Sequence, residues 1–138
     1  MNHEAKAYEQ GPMRVLTAWL PYPAQWDKHS RVNTTIRERR RFLVPEARAY
    51  RAEVARIVRP VLPARPWFDA AKRWEFNVVT LQGLLHHDAD RNLGGLLDDL
   101  VETGLVKDDA QARYGLIETI QDSGDVSGIW VCCRQRAE

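Results

Sequence analysis

Two groups of acidic side chains are the residues of this sequence best suited to chemistry. Asp88 and Asp90 lie one residue apart at a predicted strand-to-helix junction, and Asp109 follows 19 positions after Asp90, beside Asp108. Carboxylates that lie close together repel one another unless a cation lies between them, and hard divalent cations such as Mg²⁺ prefer carboxylate oxygens. The pattern therefore predicts a metal site.

The same side chains also have an interpretation without a metal. Asp90 precedes a predicted helix, where an aspartate caps free backbone N–H groups, and Asp88 would interact favourably with the helix dipole. Asp108 fits a solvated turn before a strand. Residue types alone favour the capping interpretation, so the choice depends on the rest of the chain.

The composition indicates one globular domain. The chain has 138 residues, of which 44% are hydrophobic and 28% charged, enough to bury a core of its own. No apolar run approaches the roughly 20 residues that cross a bilayer, and no signal peptide is recognisable, so we expect a cytoplasmic protein without a membrane partner. Cys132 and Cys133 are adjacent in a predicted strand and should face opposite sides as reduced thiols.

Charge is segregated along the chain although the net charge is only +1. Residues 31–73 carry twelve basic and four acidic side chains, whereas residues 74–125 carry three basic and eleven acidic ones. Such a division suits a protein that attracts phosphates with one region and positions a cation with the other. It suits equally well a helix face solvated by arginines, with the two halves offsetting each other in the fold.

Hydrophobic periodicity predicts six elements in the order β-α-β-α-β-β, which is typical of an α+β domain. The predicted strands cover residues 14–20, 74–85, 113–121 and 128–134, and the predicted helices cover residues 45–61 and 91–103. Residues 1–12 are predicted to form a flexible leader to a domain spanning 13–138, and residues 24–44 a long polar connection. The turn residues at 122–125 predict a hairpin between the last two strands.

Three stretches of the sequence resemble the RusA-type Holliday junction resolvases: Leu20-Pro21-Tyr22-Pro23, Glu46-Ala47-Arg48-Ala49-Tyr50-Arg51, and the acidic block from Asp88-Ala89-Asp90 to Asp108-Asp109-Ala110-Gln111. The acidic block aligns without a gap, including Asp98 and Gly104. Order and spacing match from about Arg14 to the C-terminus, so the resemblance covers most of the chain.

The resemblance implies an intertwined homodimer with a mixed sheet and helices packed on it. It also implies a Mg²⁺-dependent endonuclease, with Mn²⁺ as a substitute, that resolves branched DNA by paired nicks at four-way junctions. Asp88, Asp90 and Asp109 take the places of the family's three essential acidic residues, where they would hold the metal for in-line attack by water on a phosphodiester.

The chain offers several cations for contact with DNA phosphates: Arg37, Arg39, Arg40, Arg41, Arg91 and Lys107. For the arginines at 37–41 a mobile charged loop is an equally good interpretation. The sequence departs from the family where a lysine is expected four residues after the second aspartate, because Gly94 stands there. Two hypotheses follow: an active endonuclease, or a catalytically weakened member of the fold that binds branched DNA or a protein partner.

The predicted helix separates the acidic residues in space. A helix over residues 91–103 carries the chain roughly 20 Å from Asp90, and the six steps from Thr103 to Asp109 return at most about 20 Å. We therefore expect either a shorter helix bent at Gly94-Gly95, or an Asp109 that meets Asp88 and Asp90 of the partner subunit.

Overall fold

The computed structural model describes residues 3–22, 32–35, 40–82, 93–121, 124 and 126–137, with the backbone alone for 32–35 and 40–43. It is a small single-domain α+β fold with two helices and a mixed sheet, as predicted, and the sheet has five strands. The elements are β1 (Glu4–Gln10), β2 (Met13–Leu20), β3 (Val32–Thr35), β4 (Arg40–Leu43), α1 (Pro45–Val58), a 3₁₀ turn (Arg59–Val61), β5 (Trp74–Gln82), α2 (Leu93–Glu102), β6 (Ala112–Gln121) and β7 (Gly128–Arg136).

The five-stranded sheet has the order β1-β2-β7-β5-β6, and all its neighbours are antiparallel except β5 and β6. A parallel pair needs a crossover connection, and α2 lies in the segment that joins the two strands. In the parallel register Trp74 is opposite Ala112 and Gln82 is opposite Gln121. The two strands therefore start at the same end of the sheet, and the start of β6 is far from the last residue of β5.

The predicted hairpin between the last two strands is wrong, because β5 lies between β6 and β7. The turn residues correctly indicate a chain reversal, but burial decides which strands become neighbours. Ile129, Val131 and Cys133 of β7 are fully buried, which suits a central strand, whereas most of β6 is exposed, which suits an edge. Local turn chemistry carries no information about that choice.

The predicted flexible leader at residues 1–12 is also wrong, since β1 lies in that range. It pairs with β2 across a tight turn in which Gly11 has a φ of 59°. Only Ala5 and Ala7 face the core from β1, so the strand has too little apolar alternation to be recognised. The predicted long connection contains a second, two-stranded sheet of β3 and β4, and the predicted element order thus misses three strands.

Both helices contribute to one hydrophobic core with a single face of the sheet. Helix α1 begins with Pro45 in its first turn, where a missing backbone N–H costs nothing. Its buried side chains and those of α2 join large residues of the sheet in one cluster, which includes Val54, Ile57, Val58, Leu93, Leu96, Leu97, Leu100, Leu16, Phe76, Ile129 and Val131. The Tyr50 hydroxyl donates to the Pro21 carbonyl oxygen at 2.9 Å, which fixes α1 against the end of β2.

The two cysteines face opposite sides of β7, as predicted. Both are free thiols: Cys133 is buried in the core and Cys132 is half-buried on the other face. Burial raises the pKa of both thiols, most strongly that of Cys133. In the described parts of the chain, no helix is long and apolar enough to cross a membrane.

An ion pair joins the two helices. The Asp99 side chain on α2 is fully buried, and the Arg51 Nε on α1 donates to its Oδ1 at 2.9 Å. A second arginine, Arg59, donates to the carbonyl oxygens of Glu102 at 2.9 Å and Thr103 at 3.3 Å, at the end of α2. Since a buried carboxylate depends on a partner cation, Arg51 of α1 and Arg59 of the 3₁₀ turn fix the position of α2.

We predict that Arg51→Met destabilises the protein by about 3 kcal/mol, because the substitution removes the ion pair between Arg51 and the fully buried Asp99 carboxylate. Chemical denaturation followed by circular dichroism measures the free energy of unfolding. Arg56→Met is the matched control, since Arg56 lies on the same helix in an exposed pair with Glu53 and its loss should change stability little. Equal unfolding free energies for the two variants would contradict the prediction.

Candidate functional site

Asp109 lies on the connection between α2 and β6, and backbone hydrogen bonds fix this connection on both sides of it. The Leu105 carbonyl oxygen accepts from the backbone N–H groups of Trp67 at 3.0 Å and Phe68 at 2.7 Å. After Asp109, the Gln111 carbonyl oxygen accepts from the Trp74 N–H at 3.0 Å, and the carbonyl oxygen of Asp109 itself accepts from the Ala112 N–H at 3.0 Å. The position of Asp109 is therefore held by the start of the sheet.

The two neighbouring aspartates have different surroundings. The Asp108 Oδ1 accepts from the Ala110 backbone N–H at 3.0 Å, which gives Asp108 the structural turn role that the sequence favours for it. The Asp109 side chain is exposed, and within the described residues its carboxylate makes no hydrogen bond or ion pair. Of the pair, Asp109 alone keeps both carboxylate oxygens open to a ligand.

The charge of Asp109 contributes to the raised pKa of Tyr114 on β6. Its ring packs on Phe76 with the ring centroids 5.8 Å apart. Partial burial raises the pKa of the Tyr114 hydroxyl first, and the negative charges of Asp109 and Asp98 raise it further. Asp98 lies on α2 and Asp109 on the connection that follows it. Both carboxylates therefore act electrostatically on the hydroxyl of Tyr114 on the edge strand β6.

The other two predicted metal ligands, Asp88 and Asp90, lie outside the described residues, as does Arg91. Across the ranges that the structure describes, no three acidic, histidine or cysteine side chains are grouped closely enough to hold a metal ion. Asp109 offers the oxygen chemistry that Mg²⁺ prefers, but a full ligand set needs residues beyond these ranges. The three-carboxylate metal site stays a prediction.

The chain leads to Asp88 from the last residue of β5, whereas Asp109 lies near the first residue of β5. Asp88 is six residues beyond Gln82, the last residue of β5, and can lie at most about 20 Å from it. β5 itself spans roughly 26 Å, and Asp109 lies near its opposite end. Helix α2 (Leu93–Glu102) is shorter than the helix predicted over residues 91–103, and its helical hydrogen bonding includes Gly94 and Gly95. Both arrangements, a site within one subunit and a site shared across two, stay predictions.

The predicted phosphate contacts fall in three places. Arg37 and Arg39 lie outside the described residues. Arg40 and Arg41 lie on β4, opposite Thr35 and Thr34, where the backbone alone is described. Lys107 is exposed two residues before Asp109, in a groove of about 310 Å³ whose walls include Arg65, Glu102 and Gly104.

A larger groove lies beside α1, and the sequence did not single it out as a site. It has a volume of about 1000 Å³ and is lined by Arg48, Arg51, Arg56, Arg59 and Arg65, together with Glu102 and the apolar residues Ala52, Ala55, Pro60 and Leu62. We name it the arginine groove. The helical spacing of its first four arginines was visible in the sequence, but Arg65 comes from another segment and joins them only in the fold.

More cations surround Tyr114 at the same end of the sheet. A groove of about 500 Å³ there is lined by Arg73, Arg113, Arg134 and Arg136 beside Tyr114. Glu75 forms an ion pair with Arg134, and Arg113 donates to the carbonyl oxygens of Ala110 and Ala112. Asp109 is therefore an exposed carboxylate near this groove, with Lys107 two residues before it and Arg113 four residues after it.

Searches for related proteins returned no match, either among models of known families or among curated proteins.

We predict that Asp109→Asn lowers the pKa of Tyr114, because the substitution removes one of the negative charges that disfavour the tyrosinate. An NMR pH titration of the tyrosine ring carbons measures this pKa. Asp108→Asn is the control: it keeps the oxygen that accepts from Ala110 and should leave the Tyr114 pKa unchanged. Indistinguishable pKa values in the wild type and Asp109→Asn would show that Asp109 does not act on this hydroxyl.

Proposed function

We propose that the protein is a Mg²⁺-dependent, structure-specific DNA endonuclease that resolves four-way junctions by paired phosphodiester hydrolysis. The observation that carries the proposal is the setting of Asp109: a fixed backbone, an exposed carboxylate without a partner among the described residues, and cations on both sides. A carboxylate in such a setting is suited to a metal ion that is shared with a phosphate.

In this proposal Asp88, Asp90 and Asp109 hold the metal, and the cations near Asp109 hold the DNA. Bound Mg²⁺, or Mn²⁺ in its place, would supply a Lewis acid for the phosphate and an activated water. Lys107 and Arg113 would orient the phosphate through charge-assisted hydrogen bonds. The basic surface would also draw the DNA towards carboxylates that alone would repel it.

Paired nicks need two sites, so the proposal includes a homodimer. The edge strand β6 supports a second copy, because its outer edge is unpaired within the described residues and it exposes Tyr114, Leu116 and Ile120, each about half accessible. Exposed apolar edge strands are typical pairing surfaces. An interface there would bring the partner close to Asp109, which lies three residues before the start of β6.

The decisive experiment compares nicking of a labelled four-way junction by the wild type and two adjacent variants in Mg²⁺, Mn²⁺ or EDTA. We expect Asp109→Asn to lower the rate by at least about 10²-fold, because a metal ligand is removed. Asp108→Asn should keep nearly the full rate, since it removes the same charge one residue away and retains the turn. Nicking in EDTA, or equal rates for the two variants, would rule out the mechanism.

The same assay separates a site within one subunit from a shared one. Asp90→Asn and Asp109→Asn chains, each inactive alone, are co-refolded and assayed together. Shared sites would restore nicking, because a mixed dimer contains one site with all three aspartates. Sites within single chains would stay inactive in the mixture.

A second candidate function is binding of branched DNA without efficient cleavage. Gly94 favours it: this half-buried residue in the first turn of α2 occupies the position of the family's lysine and has no side chain to hold a charge. Loss of a cation near a scissile phosphate commonly slows the reaction by orders of magnitude. Both candidates predict DNA binding that weakens steeply as salt rises.

We predict that Gly94→Lys raises the nicking rate by about 10²-fold, because it restores a cation near the reacting phosphate. Gly94→Ala is the control, since both substitutions favour the helix over glycine and only lysine adds charge. The measurement is the single-turnover rate on the same junction. Equal rates for the two variants would show that position 94 does not face the reacting phosphate.

A further inference from the structure

The arginine groove combines fixed and free cations. Arg51 is held by the buried Asp99 carboxylate, and Arg59 is held by carbonyl oxygens at the end of α2. Arg48 and Arg65 make no hydrogen bond or ion pair with the described residues, and both are exposed. The groove thus has a rigid lining and two guanidinium groups with all their donors open to an anion.

The groove continues towards Asp109. Arg65 and Glu102 line both the arginine groove and the smaller groove that contains Lys107. Cations therefore follow one another from Arg48 on α1, past Arg65, to Lys107, which lies two residues before Asp109. A basic surface thus extends from α1 to Lys107, close to Asp109 in the chain.

We propose that the arginine groove binds the backbone phosphates of the DNA and leads the strand to Asp109. This inference rests on the proposed function, because it assigns the surface that holds the substrate of that site. Guanidinium groups recognise phosphate through paired hydrogen bonds. Ala52 and Ala55 also line the groove, and their short side chains leave room for a backbone to approach closely.

The dimensions favour a polymer over a single small anion. From Arg48 to Arg59 the helix advances about 16 Å, and one strand of a duplex carries a charge about every 3.4 Å along its axis. About five phosphates of one strand would face this length. A nucleic acid backbone supplies separate phosphates to Arg48 and Arg65, which make no ion pair with the described residues. Arg51 and Arg56 already have carboxylate partners, Asp99 and Glu53.

The test is binding of a short fluorescein-labelled duplex in EDTA, measured by fluorescence anisotropy over a series of salt concentrations. We expect Arg48→Gln and Arg65→Gln each to weaken binding about fivefold. Each should also reduce the slope of log affinity against log salt by about 0.9 for every phosphate that the variant no longer neutralises. Arg48→Lys should recover part of the affinity, since it restores the charge without the paired donors.

Lys6→Gln is the matched control. Lys6 is an exposed cation on β1, whose neighbours Ala5 and Ala7 face the core, so its side chain lies on the opposite face of the sheet. Its removal should leave affinity within about twofold of the wild type, because Lys6 does not neutralise a phosphate in this arrangement. Circular dichroism melting of each variant confirms that all compared chains are folded.

The outcomes separate this inference from the proposed function. If the wild type binds and nicks DNA but Arg48→Gln and Arg65→Gln bind like Lys6→Gln, the groove assignment fails and the proposed function stands. If the wild type does not bind DNA even at low salt, both fail. If polyglutamate displaces the duplex as readily as unlabelled DNA at equal charge, the groove takes an acidic protein segment and the assignment is overturned.

Discussion

The parallel pairing of β5 with β6 is the constraint on which the rest of the structure depends. Parallel neighbours require the chain to cross back over the sheet, so α2 must lie between them in sequence and against the core in space. This crossover puts Asp109 at the end of the sheet where β5 begins. It also puts α2 beside α1, and the surface between and beyond these helices becomes the arginine groove.

Charged side chains have different roles in the basic and in the acidic part of the molecule. The basic segment of the sequence supplies α1 and the 3₁₀ turn, from which Arg51 holds the buried Asp99 and Arg59 holds the end of α2. Other arginines of this segment remain open to anions. The acidic segment supplies the exposed carboxylate of Asp109, which acts on Tyr114. Attraction between opposite charges therefore holds the two helices together. In our proposal, it also brings the DNA to a metal site.

The sequence predicted those features that depend on local periodicity. β5 alternates buried and half-buried residues along its whole length, and α2 carries four buried leucines, so both were recognisable. β1 was not, because its core-facing side chains are only alanines. The position of β7 beside β5, and the meeting of Arg65 with the arginines of α1, depend on contacts distant in sequence. Asp109 became a candidate through its type, its spacing and the family resemblance, whereas its open carboxylate became visible only beside the turn role of Asp108.

The most direct test of the account is to map the products that the wild-type protein makes from a four-way junction in Mg²⁺, with each of the four strands labelled in turn. The account predicts two nicks, placed symmetrically across the junction, that disappear in EDTA, together with little cleavage of an unbranched duplex of the same sequence. Equal cleavage of the duplex, or products that do not depend on a divalent metal, would contradict it.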